Sequence, residues 1–175
     1  MLDYRLNTSA SGGPAPAFAI TNAGGIRASI DQGPITRGEV ITAFPFGNAI
    51  VEITITGDRL WAALDGIVSK VNRENGLAVT SFLQVSRGIV LEYSRTASNG
   101  TGLTSVMVGG KPLDKGLKYK VVTIDFLATG GDNFFSPKFT DFVTLDKMDD
   151  VLTAYIGAVS PVNIKLEGRI KLVNG

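Results

Sequence analysis

The sequence predicts an α+β fold: one layered domain with a mixed β-sheet and flanking helices. Three observations predict it. Segments that alternate at every second residue, such as Val51, Ile53 and Ile55 against Glu52, Thr54 and Thr56, read as half-buried strands. Apolar stripes at helical spacing, first Leu60, Ala63, Leu64, Ile67 and Val71, later Val151, Leu152, Tyr155, Ile156 and Val159, read as helices packed on one face. Some strands are joined by hairpin turns, Asn99-Gly100 and Gly109-Gly110, and others are separated by helices, which calls for a sheet of mixed direction.

In chain order, Leu2, Tyr4 and Leu6 read as the last turns of an amphipathic helix that begins upstream, and residues 8–16 are a loop by their Ser, Gly and Pro content. Residues 1–17 are therefore expected to be a helix remnant and loop, ahead of a domain over residues 18–175. Ala17 to Ile20 is a short buried strand. It runs into Thr21-Asn22-Ala23-Gly24-Gly25-Ile26-Arg27, around which the rest of the chain is organised. The paired glycines suit a turn through positive φ and close approach to the main chain. The Asn22 amide donates and accepts, and the Arg27 guanidinium offers a planar fork of donors. After a turn at Asp31 to Pro34, Thr36 and Glu39 have capping-box spacing and begin a short helix that ends before Phe44-Pro45.

Phe44-Pro45-Phe46-Gly47-Asn48 is a loop with two large rings. The strand over 51–56 leads through Gly57-Asp58 into the helix whose stripe runs to Val71 and which Asn75-Gly76 stops. Phe82 to Val85 and Ile89 to Tyr93 are strands broken by a bulge or kink at Ser86-Arg87-Gly88. Leu103 to Val108 and Lys118 to Ile124 are further strands. Asp125 to Phe134 is a glycine-containing loop carrying rings and an acid. Asp146, Asp149 and Asp150 suit a helix N-terminus, and the tail from Asn163 to Leu172 alternates as an extended strand.

Composition limits the chemistry. At 175 residues with 44% hydrophobic content the chain can build one good core. Lys and Arg total 17 against 16 acids, which gives no electrostatic footprint for a nucleic-acid polymer or a charged membrane surface. Cys and His are both absent from the sequence, so thiolate metal sites, disulfides and His-dependent triads are excluded. No run reaches the length of a membrane span, and the first residues lack the form of a signal peptide. The acids show no metal-loop spacing, and no catalytic residue is assigned in this chain.

Three separated loops share one character, a glycine beside an amide, acid or aromatic: Asn22 to Arg27, Phe44 to Asn48, and Phe126-Leu127-Ala128-Thr129-Gly130-Gly131-Asp132. With Phe82 to Gly88 between the last two, and Glu167-Gly168-Arg169-Ile170-Lys171 at the end, the set resembles the C-terminal domain of the 5′-nucleotidase family. That family includes periplasmic UDP-sugar hydrolases, cyclic-nucleotide phosphodiesterase/3′-nucleotidases and surface ecto-5′-nucleotidases. The resemblance runs from about Phe18 to Lys171. It implies that an N-terminal metallophosphatase domain with two divalent metal ions, absent from this chain, performs hydrolysis while this domain binds the nucleoside part of a nucleotide. Matched motif by motif, Phe46 and Phe126 clamp the base, Asn22 and Arg27 contact the ribose and nearby groups, and Gly25 leaves them room. Asn48, Gly88 and Asp132 line the same pocket, Asp132 as the acceptor of ribose hydroxyls. Arg87 and Phe44 are left as structural.

The residues agree with those roles on chemical grounds. A base has a flat face that stacks on a ring, and a ribose diol offers two donors that one carboxylate can accept. The resemblance also implies a nucleotide or nucleoside partner, the metallophosphatase domain as a second partner, and a periplasmic or extracellular location. Two alternatives from other classes stand beside this reading: a non-enzymatic module that recognises a nucleoside unaided, and a structural cap in which the pocket residues are relics. The first sequence motif also reads Asn-Ala-Gly-Gly where many relatives carry three glycines, a change that Ala23 tolerates at negative φ.

Overall fold

A computed structural model describes residues 1–8, 14–97 and 100–173, apart from the side chains of residues 8, 96, 97, 100 and 101. The centre of the expected 8–16 loop and Asn99 of the expected Asn99-Gly100 turn lie outside the described residues. The mixed sheet is present, as two sheets. The first has five strands: β1 (Phe18–Asn22), β2 (Ala49–Thr56), β3 (Leu83–Val85), β7 (Lys118–Ile124) and β8 (Val143–Lys147), in the order β3-β1-β7-β2-β8. Only β1 and β7 run parallel; the other neighbours are antiparallel. The second sheet holds β4 (Ile89–Ala97), β5 (Gly100–Val108), β6 (Lys111–Pro112) and β9 (Ile170–Leu172), in the order β6-β5-β4-β9.

The main core lies where the five-stranded sheet, α3 (Gly57–Ser69) and the four-stranded sheet meet. Phe18, Ile20, Val51, Ile53 and Ile55 point into it from the strands, Leu60, Leu64 and Ile67 from α3, and Ile89, Leu91 and Val106 from the second sheet. Ala19, Ile50 and Val122, from the same strands of the first sheet, form a separate cluster with Leu2 of α1 (Leu2–Thr8) and Val151 of α5 (Met148–Val159). The period-2 alternation of β1, β2 and β7 thus feeds two apolar layers, one on each face. Glu52 shares the second face, only 5% exposed, with Arg5 Nε 2.9 Å and Lys120 Nζ 3.0 Å from its two oxygens. Among the described residues, no helix is long and apolar enough to cross a membrane.

Four local expectations are corrected. Helix α3 ends at Ser69, not at Asn75-Gly76: Lys70 takes the left-handed conformation at φ 61° and donates its N–H back to Gly66 and Ile67. Val71 therefore leaves the helical stripe and lies 40% exposed. The two strands expected either side of Ser86-Arg87-Gly88 are present, but the break between them is neither a bulge nor a kink. The chain changes sheets there, from β3 in the first to β4 in the second.

The extended tail pairs only at Ile170 to Leu172. Leu91 sits opposite Ile170, so residues before Gly168 run beyond the start of β4 and meet no strand. Ile164 and Leu166 are accordingly exposed. Finally, the stripe of α5 is buried only at Val151, and Tyr155 and Val159 are exposed. The capping box is present as expected: Thr36 and Glu39 bond each other reciprocally at the start of α2 (Arg37–Ala43).

Candidate functional site

Strand directions gather the glycine-bearing loops at one edge of the five-stranded sheet. Parallel β1 and β7 both finish at this edge, one running into Asn22, the other into α4 (Asp125–Ala128) and Asp132. Strand β2 is antiparallel to β7 and pairs Ile50 with Ile124, so its start, preceded by Phe46 and Asn48, lies at the same edge. Strand β3 starts there too, because Asn22 faces Leu83, which puts Thr80 and Ser81 beside Asn22. Strand β8 ends there with Lys147 opposite Ala49, delivering the first turn of α5.

At the centre, Asn22 is 5% exposed and donates from Nδ2 to Asp132 Oδ2 at 2.7 Å. Thr80 Oγ1 donates to the other Asp132 oxygen at 2.7 Å. Asp132 holds the left-handed conformation at φ 52°, and its own carbonyl accepts from Thr80 N at 3.3 Å. Asn133 Nδ2 reaches Ala78 O, and Asn72 Nδ2 reaches Asn133 O, both at 2.7 Å. Residues 78–82 are thereby laced to the 131–133 turn, which fixes the direction of the Asp132 carboxylate.

The two glycines after Asn22 do not turn through positive φ as expected; Ala23 to Gly25 form one turn of 3-10 helix. Their smallness is needed for another reason. A Cβ on Gly25 would come 2.8 Å from Asn22 Oδ1, and one on Gly24 would sit 3.0 Å from Ser81 Oγ. Gly25 thus leaves room for Asn22 itself. Gly131 does the same for a ring: a Cβ there would come 2.5 Å from Phe126, so the phenyl lies flat on the main chain.

Both predicted clamp rings stand clear of the core, Phe46 at 60% and Phe126 at 42% exposure. They make no ring contact with each other among the described residues. The Arg27 guanidinium lies 5.9 Å from the Phe46 ring centroid, and its Nη1 donates to Gly24 O at 3.1 Å. The Arg27 main chain is tied to Ala43 O at the end of α2. A small cleft of about 10 Å³ is lined by Asn22, Gly25, Phe44, Phe46, Asn48 and Asp149, among others.

Of the eight expected residues, the edge assembles Asn22, Gly25, Arg27, Phe46, Asn48, Phe126 and Asp132. Gly88 does not join them. It follows the far end of β3, where its φ of 94° and its approach to Ala17 O, 2.2 Å from where a Cβ would stand, give it a packing role instead. Thr80 and Ser81 carry no local signal in the sequence, Thr80 because its partner Asp132 lies 52 residues away. Asp149 signals there only a helix-end charge. Arg87, left as structural, pairs with Asp3 at the mouth of a larger cavity of about 380 Å³ between α1, α5 and β3.

The loops thus gather at the carboxyl ends of two parallel strands, the place where open α/β sheets hold their ligands. A model of the family described as "5'-nucleotidase, C-terminal domain" matches residues 5–141, and the chain belongs to that family. It is 35% identical over 167 residues to an apyrase of the fly Tabanus yao, covering 90% of this chain and 30% of that protein. Protein UshA of Escherichia coli is 32% identical over 153 residues, covering 85% of the chain and 26% of UshA. Among solved structures, the 5'-nucleotidase precursor of Thermus thermophilus superposes with a TM-score of 0.77 at 36% identity, covering 91% of this chain and 32% of that one. The chain spans about a third or less of the length of these relatives.

Proposed function

We propose that this chain is the nucleoside-binding domain of a nucleotide phosphohydrolase. One observation carries the reading: two exposed phenyl rings, Phe46 on a turn and Phe126 on α4, stand at the same sheet edge as a fixed amide–carboxylate pair, Asn22 and Asp132. In this reading the rings hold the base on both faces. Asp132 keeps lone pairs beyond the Asn22 and Thr80 bonds and accepts the ribose hydroxyls. Arg27 and Asn22 contact the ribose and neighbouring groups, Asn48 closes one wall, and Gly25 keeps Asn22 in place. The domain contributes orientation: a nucleotide gripped at base and ribose presents its phosphate in one direction.

Phosphoester cleavage needs neutralisation of the phosphoryl charge and an activated water. Among the described residues no three His, Cys, Asp or Glu side chains gather as a metal cluster. The proposal assigns cleavage to a metallophosphatase domain with two divalent metal ions, N-terminal to this one in the whole protein, which acts in the periplasm or outside the cell. The apyrase and UshA relatives are longer proteins of which this chain matches only a part, which supports the division of labour.

Titration of the chain with adenosine, followed by amide NMR, tests the reading. Shifts are expected at residues 22–27, 46–48 and 126–132, with a Kd of roughly millimolar for half a cleft. Phe46→Ala and Phe126→Ala should each cost about 1–3 kcal/mol of stacking, roughly 5- to 150-fold in affinity. Shifts confined elsewhere, or affinity unmoved by both substitutions, would overturn it. One observation favours the relic alternative: both Asp132 oxygens already hold an internal donor. A folded chain that gives no response to adenosine would favour that alternative.

A further inference from the structure

Two stretches of the chain carry apolar patterns that meet no partner, and both border the larger cavity. The first is the stripe of α5. Met148, Val151, Leu152 and Tyr155 stand at i, i+3, i+4 and i+7 and line the cavity, yet only Val151 is buried. The second is the tail, where Val162, Ile164 and Leu166 alternate with Asn163, Lys165 and Glu167. Ile164 at 87% and Leu166 at 105% are the most exposed large apolar side chains among the described residues. The tail is held at both ends, by Ser160 N donating to Ile156 O and by Leu91 N donating to Arg169 O. Between those ends, among the described residues, no backbone–backbone hydrogen bond holds residues 161–168. Glu167 also lines the cavity. Leu166 therefore stands one residue from the cavity wall and Ile164 three, within about 10 Å even in a fully extended chain.

We propose that residues 161–168 form a strap that closes over this cavity, turning Ile164 and Leu166 in against Leu152 and Tyr155. In an extended segment neighbouring side chains face opposite sides, so a half-turn of the strap exchanges Glu167 for Leu166 at the cavity wall. Gly168 supplies the pivot: it stands at φ 65°, and without a Cβ it crosses between left- and right-handed backbone at no steric cost. The Glu167–Arg169 pair that the turn disturbs lies at the surface, where ion pairs weigh little. The cavity of about 380 Å³ has room for two branched side chains, and their entry takes apolar surface of strap and helix out of water together. An anionic ligand would find Arg87 already held by Asp3, and Arg169 by Val85 O and Glu167. The strap, tethered at the mouth, reaches the cavity at a high effective concentration that a free occupant lacks. Thr21, Phe44 and Met148 border both this cavity and the small cleft, so the strap closes behind the loop that carries Phe46.

The sequence contains no cysteine, so Leu152→Cys combined with Leu166→Cys introduces the only two thiols. Under mild oxidation in dilute solution this pair should close within one chain, because the docked strap brings the two positions to the roughly 4.4–6.8 Å Cα spacing that a disulfide needs. Ile164→Asp and Leu166→Asp, each made alone in the cysteine-free chain, should lower the denaturation midpoint. Leu117→Asp, another exposed leucine, should leave it unchanged. Midpoints unmoved by both strap substitutions would overturn the proposal, since side chains that stand in water have no folded contact to lose. So would oxidation that yields no cross-link, or only cross-linked dimers, the mark of a second copy filling the cavity.

Discussion

Asn22, Asp132 and Phe126 show what a residue's neighbours must give up for it to be held. Asn22 is aimed because position 25 has no Cβ, and Phe126 lies flat because position 131 has none. Gly131→Ala is the sharper probe, since the obstructed group is a half-exposed ring that can swing into solvent. It should leave the melting temperature nearly unchanged while displacing the phenyl and weakening adenosine binding towards the Phe126→Ala level. Unchanged affinity would mean that the ring's placement on the 131 backbone is irrelevant to binding. Thr80 acts one step back. Thr80→Val removes a donor worth about 0.5–1.5 kcal/mol, and adenosine affinity should fall while Thr80→Ser retains it. The sequence made the importance of 22–27 legible because several unusual residues stand side by side there. It hid Thr80, whose meaning comes entirely from a distant carboxylate, and it misdirected the reading of Gly24 and Gly25, where space and not positive φ is what glycine supplies.

At the scale of the element, capping chemistry was legible and strand ends were not. The Thr36–Glu39 box formed as its spacing predicts, because every atom it needs lies within four residues. It anchors α2, whose far end carries the Phe44 to Asn48 loop. The Glu39 carboxylate is held below its ordinary 4.5, first by the Thr36 N–H and then by the Thr36 hydroxyl. A carboxyl that ionises more readily when folded stabilises the cap fully above its free value and loses that contribution as pH falls through its folded value. The Thr36 amide proton should therefore titrate with a midpoint below 4.5, and Glu39→Gln should abolish the titration; a midpoint at or above 4.5 would show the box open in solution. By contrast, the ends of α3 and β9 differ from what the residue pattern predicts. Lys70 can close a helix with its own N–H and a left-handed turn, which no residue preference announces. The tail from Asn163 has a strand's alternation, but its pairing depends on where β4 begins in another part of the chain.

The whole molecule is layered so that the loops of the candidate site and the second apolar face answer to different parts of the sequence. The main core fixes β1, β7 and β2, and with them the edge where the loops meet. Helix α1 and the start of α5 close the opposite face through a smaller cluster and through Glu52, which is nearly buried between Arg5 and Lys120. Removing the shared anion leaves two cations facing each other with one exposed only 14%, so Glu52→Ala should lower unfolding stability by about 3 kcal/mol, the lower end for a broken buried pair because Lys120 reaches solvent. The denaturation midpoint measures that loss. The same variant decides whether the layers are independent. Its main-core residues are untouched, so below the unfolding transition its adenosine affinity should equal that of the parent chain. A fall in affinity parallel to the fall in stability would show that α1 holds the binding edge through the sheet, and the first turn of α5, which shares the second cluster through Val151 and the cleft through Asp149, would be the element that carries the coupling.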